Sequence, residues 1–140
     1  MLVKEIMTPN PITASPSDSL ESAVALMLQK DVRELPVLDG DQLVGILTDR
    51  DLRGILGAGM SEVDERMMDD SVLAREVASV MSEEVETVFP NTSAGAAARL
   101  LVDAKIGAVP VVSRQGFVVG ILSVTDLLDA AAPLLDELVN

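Results

Sequence analysis

The stretch GILTDRDL occupies residues 45–52, and GILSVTDLL follows later at residues 120–128. Each begins with Gly, reaches Thr or Ser three residues on, and places Asp three residues after that hydroxyl. The match extends outward: Met7, Pro16 and Pro36 recur as Met81, Pro90 and Pro110, 74 residues further along the chain. One extra residue in the second copy then brings Gly45 onto Gly120 and Asp51 onto Asp126. The chain is therefore a tandem duplication.

Each copy predicts the order β-α-β-β-α, which is an α+β fold class. Apolar residues at i, i+3, i+4 and i+7 predict helices over Ser19–Lys30 and Ser93–Lys105. Asp18, with Glu21 three residues later, predicts the cap of the first helix. Extended pieces precede the helices at residues 12–14 and 85–88, and two strands joined by a turn (ELPVL and LVGIL; AVPVV and FVVGIL) follow them.

The predicted domains are repeat 1 at 1–56, a linker at 57–74, repeat 2 at 75–132 and a tail helix at 133–140. Pro133 suits the first position of that tail helix. Its leucines would pack either on the module or on a second subunit. A copy of roughly 60 residues is marginal alone, so we expect the two copies to pack through their sheets with pseudo-twofold symmetry.

The composition narrows the function. The 140 residues include two Phe, no Trp or Tyr, no Cys and no His. No thiolate metal site or disulfide is possible, and the usual general base is missing, so we predict no catalytic and no metal-binding residues. A net charge of −13 without basic clusters disfavours nucleic acid. No apolar run approaches a membrane span and the first residues lack a signal-peptide pattern, so we expect a cytoplasmic protein without membrane contact.

The repeated Thr/Ser-x-x-Asp motif has two interpretations. It fits a capping box at a helix start, although Asp is short for the reciprocal contact that Glu or Gln usually makes. It also fits a ligand site, because a strand that runs into a helix directs free N–H groups and the positive end of the helix dipole at a phosphate. Gly45 and Gly120 would then allow a ligand to approach the strand. The Asp carboxylate would accept two ribose hydroxyls.

Several segments together resemble the CBS (cystathionine-β-synthase-like) domain family. They are VKEIMTPNPITASPSDSLESAVALM, RELPVLD and GILTDRDL in copy one, and VASVM, GAVPVV and GILSVTDLL in copy two. The resemblance implies a Bateman module, in which adenosine-containing ligands such as AMP, ADP, ATP or S-adenosylmethionine bind in clefts between two CBS units. It also implies a homodimer and a regulatory role. Because no further domain is attached, we expect it to act on an unknown protein partner in trans. The alternative is a ligand-free dimeric interaction scaffold whose motifs only cap helices.

The resemblance also implies the binding residues. Its ribose-binding acid falls on Asp51 and Asp126, and its phosphate- or ribose-contacting hydroxyl falls on Thr48 and Ser123. Contacts to adenine fall on the extended pieces and on the strand before each Pro: Thr13, Arg33 and Glu34 in copy one, and Thr87, Gly107 and Ala108 in copy two.

The two copies differ in charge near the motif. Arg33 and Arg50 lie there in copy one, whereas copy two has Gly107 and Val124 at the matching places, with Lys105 and Arg114 nearby. Cations favour a phosphate chain, so we expect copy one to bind phosphate more tightly. The overall negative field opposes an anion, so affinity should fall at low salt or require Mg²⁺.

Overall fold

The computed structural model describes residues 1–56 and 70–139, and these form two compact units. The central unit is Ile12–Val85, and the terminal unit joins Met1–Pro11 to Glu86–Asn140. Most of the predicted linker, residues 57–69, lies outside the described residues. In chain order the elements are α1 (Val3–Ile6), β1 (Thr8–Pro9), α2 (Leu20–Lys30), β2 (Glu34–Asp39), β3 (Gln42–Thr48), α3 (Asp49–Leu56), α4 (Asp70–Leu73), a 3-10 turn (Val77–Ser79), α5 (Ala94–Ala104), β4 (Ala108–Val112), β5 (Val118–Ser123) and α6 (Val124–Glu137).

The central unit is built around the antiparallel hairpin of β2 and β3, in which Glu34 lies opposite Thr48. The predicted extended piece before α2 is reduced to a parallel bridge between Ala14 and Val37. On the other side of the hairpin, Ser82 forms an antiparallel bridge with Ile46. The core between hairpin and helices is wholly aliphatic, as the composition requires: Ala14, Leu20, Ala23, Val24, Met27, Leu35, Val37, Leu47, Leu52 and Val77.

The terminal unit repeats this plan with a three-stranded antiparallel sheet in the order β1-β5-β4. Thr8 lies opposite Ile121, and Val88 forms a parallel bridge to Val111. Its core is again aliphatic: Val3, Val88, Ala97, Leu101, Val109, Val111 and Leu122. The predicted α+β class is confirmed.

The compact units do not coincide with the sequence repeats. The predicted repeat 1 begins at Met1, yet residues 1–11 pack with residues 86–140, and the start of repeat 2 up to Val85 packs in the central unit. The hairpins explain the difference. On its side away from its hairpin partner, β3 pairs with Ser82, the residue after Met81, and β5 pairs with Thr8, the residue after Met7. The predicted domain bounds therefore describe the duplication and not the spatial units.

Two local predictions are wrong, and one of the two alternatives for the tail leucines is excluded. Ser19 caps α2, accepting the Ser22 N–H at 3.1 Å, while Asp18 accepts the Ser15 N–H at 2.8 Å and closes the preceding turn. The tail is not a separate helix, because α6 runs through Pro133 to Glu137. A proline inside a helix lacks one N–H donor, but α6 continues past it. The tail leucines 134, 135 and 138 are exposed, so they do not pack on the module.

None of the helices in the described ranges is both long enough and apolar enough to cross a membrane.

Candidate functional site

The first Thr/Ser-x-x-Asp motif lies where β3 runs directly into α3, and we call this place the Asp51 joint. Oδ2 of Asp51 accepts the Thr48 N–H at 2.9 Å and the Thr48 hydroxyl at 3.0 Å. The Asp51 N–H in turn donates to Thr48 Oγ1 at 3.2 Å. One carboxylate oxygen is thus committed to the helix start.

The other oxygen of Asp51 faces a different part of the central unit. Oδ1 accepts the Ser82 hydroxyl at 2.8 Å in a half-buried contact. The main chain of Ser82 is fixed beside β3 by two hydrogen bonds of 2.9 Å, one in each direction, with Ile46. Ser82 therefore belongs to the joint, although the sequence analysis did not identify it.

The Asp126 joint has the same construction where β5 runs into α6. Oδ2 of Asp126 accepts the Ser123 N–H at 2.9 Å, and the Asp126 N–H donates to Ser123 Oγ at 3.1 Å. Oδ1 is reached by the Thr8 hydroxyl at 3.4 Å, in an exposed contact. Thr8 and Ser82 occupy matching places in the duplication, directly after Met7 and Met81. That match was the available signal for both residues.

These contacts correct the expectation that Asp is too short for the reciprocal capping contact. In both joints the carboxylate reaches the N–H of the hydroxyl residue, which completes a capping box. Helix capping is therefore one function of the motif, and Oδ1 is the atom left for any other.

The two glycines serve a different contact from the one expected. A Cβ placed on Gly45 would lie 2.5 Å from the sulfur of Met81, and one on Gly120 would lie 2.5 Å from the sulfur of Met7. Each glycine therefore admits a methionine side chain of its own unit, and not a ligand, against the strand.

Charged residues surround the Asp51 joint. Glu34 starts β2 opposite Thr48, and the Arg33 carbonyl accepts the Asp49 N–H at 2.9 Å. Burial raises the pKa of Glu34, Arg33 opposes this shift, and Asp49 adds to it. Asp49 also pairs with Arg53 at 3.3 Å. The joint thus brings together Arg33, Glu34, Thr48 and Asp51, with Arg50 exposed on the first turn of α3.

The Asp126 joint lacks this charge. Gly107 and Ala108 stand where Arg33 and Glu34 stand in the central unit. The Gly107 carbonyl accepts the Val124 N–H at 2.9 Å, so Val124 matches Asp49. Thr125, and not Val124, is therefore the counterpart of Arg50.

Lys105 and Arg114, the two basic residues predicted near the motif of copy two, lie in different places. Arg114 lies in the turn between β4 and β5, at the end of the hairpin opposite to Ser123. It is therefore not near the joint. Lys105 follows α5 in the left-handed conformation, two residues before Gly107.

Thr13 and Thr87, the predicted adenine contacts, lie beside their hairpins. Thr13 is half-buried and precedes Ala14, while Thr87 is exposed and precedes Val88. No group of three or more acidic residues that could hold a metal ion occurs in residues 1–56 or 70–139.

The family model of the CBS domain matches residues 3–58 and 77–133. The CBS domain-containing protein YhcV of Bacillus subtilis is 33% identical over 129 residues, which cover 89% of this chain and 81% of YhcV.

Two solved structures of similar proteins contain adenosine compounds. CBSX2 of Arabidopsis thaliana, in complex with AMP, has a TM-score of 0.78 and 32% identity, covering 95% of this chain and 97% of that one. The CBS domain pair of protein MJ0100, in complex with 5′-methylthioadenosine and S-adenosyl-L-methionine, has a TM-score of 0.80 and 25% identity, covering 96% and 98% of the two chains.

Proposed function

Since the chain belongs to the CBS-domain family, we propose that it is a regulatory module that binds an adenosine-containing ligand at its Asp51 and Asp126 joints. The candidate ligands are AMP, ADP, ATP and S-adenosylmethionine. The proposed contacts are Asp51 and Asp126 to ribose, Thr48 and Ser123 to ribose or phosphate, and Thr13, Glu34, Thr87, Gly107 and Ala108 to the base.

The observation that carries this proposal is that the two oxygens of each carboxylate have different hydrogen-bond partners. Oδ2 holds the helix start, while Oδ1 already accepts a side-chain hydroxyl from Ser82 or Thr8. A ribose hydroxyl offers the same kind of donor as these side chains, and a charged acceptor strengthens such a bond. The complexes of CBSX2 with AMP and of MJ0100 with S-adenosylmethionine support the choice of an adenosine compound.

Phosphate groups would favour the Asp51 joint. Arg50 lies in the first turn of α3, where the helix dipole also favours an anion, and Arg33 lies beside it, with its carbonyl accepting the Asp49 N–H. Glu34, Asp49 and Asp51 oppose a polyphosphate there, so we expect ATP to bind with Mg²⁺ and AMP to bind without it.

We also propose that the module is a homodimer that regulates a separate protein. α5 and α6 pack against each other in the terminal unit and carry exposed apolar side chains, with Val102 exposed by 73% and Leu128 by 60%. Several exposed apolar side chains on neighbouring helices are what an interaction site requires.

One observation favours the alternative, a ligand-free dimeric scaffold. Each motif makes its capping hydrogen bonds completely, so helix capping alone would account for the Thr/Ser-x-x-Asp spacing. The scaffold and the sensor differ in whether Oδ1 exchanges its hydroxyl partner for a ligand.

Thermal unfolding with AMP, ATP with Mg²⁺, or S-adenosylmethionine separates the two functions. A ligand at ~100 times its Kd should add about 2.7 kcal/mol to the free energy of unfolding. The matched control is the double variant Asp51→Asn, Asp126→Asn, which keeps a capping acceptor and should lose the shift. An unchanged unfolding temperature of the native chain with every adenosine compound would favour the scaffold.

A further inference from the structure

The two joints differ in how strongly the chain itself occupies the free carboxylate oxygen. Ser82 donates to Asp51 Oδ1 at 2.8 Å in a half-buried position, a short bond to a charged acceptor. Thr8 lies 3.4 Å from Asp126 Oδ1 in an exposed position, near the limit of a hydrogen bond. The same atom is therefore well satisfied in the central unit and poorly satisfied in the terminal unit.

We infer that Ser82 competes with the ligand for Asp51 and thereby makes the two joints selective for different adenosine compounds. The Asp126 joint would bind phosphate-free compounds, such as adenosine, more tightly. The Asp51 joint would need a phosphate group to reach a similar affinity. This inference rests on the proposed function and assigns a role to Ser82 within it.

Competition follows from the geometry of Asp51. Oδ2 already accepts both the N–H and the hydroxyl of Thr48, so a ribose must use Oδ1. The Ser82 main chain is paired with Ile46 by two hydrogen bonds, so ligand binding does not remove its side chain from the joint. A carboxylate oxygen accepts two hydrogen bonds, so the two hydroxyls of a ribose occupy both positions on Oδ1. The Ser82 hydroxyl then has to rotate away, and its bond to Asp51 is lost.

Charge determines which ligands overcome this loss. A phosphate gains attraction from Arg33, whereas an uncharged nucleoside gains none and still has to displace Ser82. At the other joint Gly107, Ala108 and Thr125 provide no charge, and the weak Thr8 contact costs little to break. The uncharged nucleoside therefore finds its better acceptor in Asp126.

Titration calorimetry with adenosine tests the inference in backgrounds that isolate each joint. In the Asp126→Asn background only the Asp51 joint is intact, and Ser82→Ala should tighten adenosine binding about three- to tenfold, as expected for the loss of one competing hydrogen bond. Ser82→Thr keeps the hydroxyl, as Thr8 does in the other unit, and should restore the weaker binding. In the Asp51→Asn background, Thr8→Val should change the affinity less than threefold.

Single substitutions in the otherwise native chain provide a second comparison. Asp126→Asn should remove the tighter adenosine site, whereas Asp51→Asn should leave it in place. AMP should reduce the difference between the two joints, because its phosphate is attracted by Arg33.

The possible results separate this inference from the proposed function. If adenosine binds but Ser82→Ala leaves its affinity unchanged or weakens it, Ser82 does not compete and the inference is wrong, while the proposed function stands. If neither the native chain nor Ser82→Ala binds adenosine, AMP or S-adenosylmethionine, the proposed function fails together with the inference. Unfolding temperatures of every variant verify that loss of binding is not loss of fold.

Discussion

At the residue scale, the two carboxylate oxygens of Asp51 have different partners: Oδ2 caps α3, and Oδ1 accepts the Ser82 hydroxyl. The spacing of Thr48 and Asp51 predicted a helix start and a carboxylate at a strand-to-helix joint, and both are present. Spacing could not predict that each oxygen has a separate partner. That depends on Ser82, which is 31 residues away and reaches Asp51 only through the folded central unit.

Replacing Asp51 by Asn should separate the two roles. The amide oxygen still accepts the Thr48 N–H, so the free energy of unfolding should change by less than about 1 kcal/mol. Binding of AMP at this joint should weaken at least about tenfold, because hydrogen bonds to a charged acceptor are the stronger ones. Calorimetry of AMP binding and chemical denaturation of the same variant measure both effects. A large loss of stability would mean that capping is the main role of the charge.

Glu34 should make stability depend on pH. Its folded pKa is raised above the ordinary value of 4.5, chiefly by burial, so the ionised carboxylate destabilises the fold. The free energy of unfolding therefore falls as the pH rises from the pKa of Glu34 in the unfolded chain through its pKa in the folded chain. The loss is complete above the folded pKa.

Glu34→Gln should therefore be more stable than the native chain at pH 7, and the difference should disappear below about pH 4.5, where Glu34 is protonated in both states. Urea denaturation at a series of pH values measures this. The contrary result, a variant less stable at pH 7, would show that attraction to Arg33 outweighs burial. The terminal unit, which has Ala108 at the matching place, already lacks this charge.

At the scale of elements, the sequence predicted the helices and hairpins well but not the partner of each hairpin edge. Periodicity and turn residues are local signals, and they placed α2, α5 and both hairpins within a few residues. Residues 1–11 pack with the second hairpin, and the segment around Ser82 packs with the first. These contacts are nonlocal, and an alignment of repeats follows chain order and not contacts. Gly45 and Gly120 indicated a close approach, and the approaching groups are the side chains of Met81 and Met7, which belong to these segments.

Gly45→Ala tests that contact. The new methyl group would lie 2.5 Å from the Met81 sulfur and 3.0 Å from the Ser82 carbonyl oxygen, so Met81 and Ser82 have to shift. We expect a loss of about 1–3 kcal/mol of unfolding free energy, typical of overpacking. Denaturant unfolding measures it.

The matched control is Gly54→Ala in α3, where nothing lies within 4 Å of the added methyl group. Alanine has the higher helix propensity, so this variant should be equal to the native chain or up to about 1 kcal/mol more stable. Equal behaviour of the two variants would argue against close packing of Met81 on Gly45.

At the scale of the whole molecule, the two copies have kept one fold and acquired different surfaces. Helix α3 exposes Arg50, Arg53 and Gly54, while α6 exposes Val124 and Leu128. The duplication, its α+β class and its family could be predicted from the repeated motifs. The apolar surface of the terminal unit could not, because the helical pattern of α5 and α6 predicts apolar sides without indicating which part remains uncovered after packing.

That surface leads to a prediction about assembly. Val102, Leu128 and Leu135 are exposed by 73%, 60% and 56%, although each would gain roughly 1.5–3 kcal/mol from full burial. A second copy can cover them, but each chain carries a charge of −13, so the copies also repel each other. Dimerisation should therefore strengthen as salt screens the repulsion.

Light scattering coupled to size-exclusion chromatography, at low and at physiological salt, should show a dimer whose population increases with ionic strength. Leu128→Glu should give a monomer, because it adds an unpaired charge to the buried surface. Phe117→Glu is the matched control: Phe117 is as apolar and is 47% exposed, but it lies beside the β4–β5 turn, outside α5 and α6, and its replacement should leave the dimer intact. If Leu128→Glu stays dimeric while Phe117→Glu becomes monomeric, the contact between copies lies at the hairpin end and not on the exposed side chains of α5 and α6.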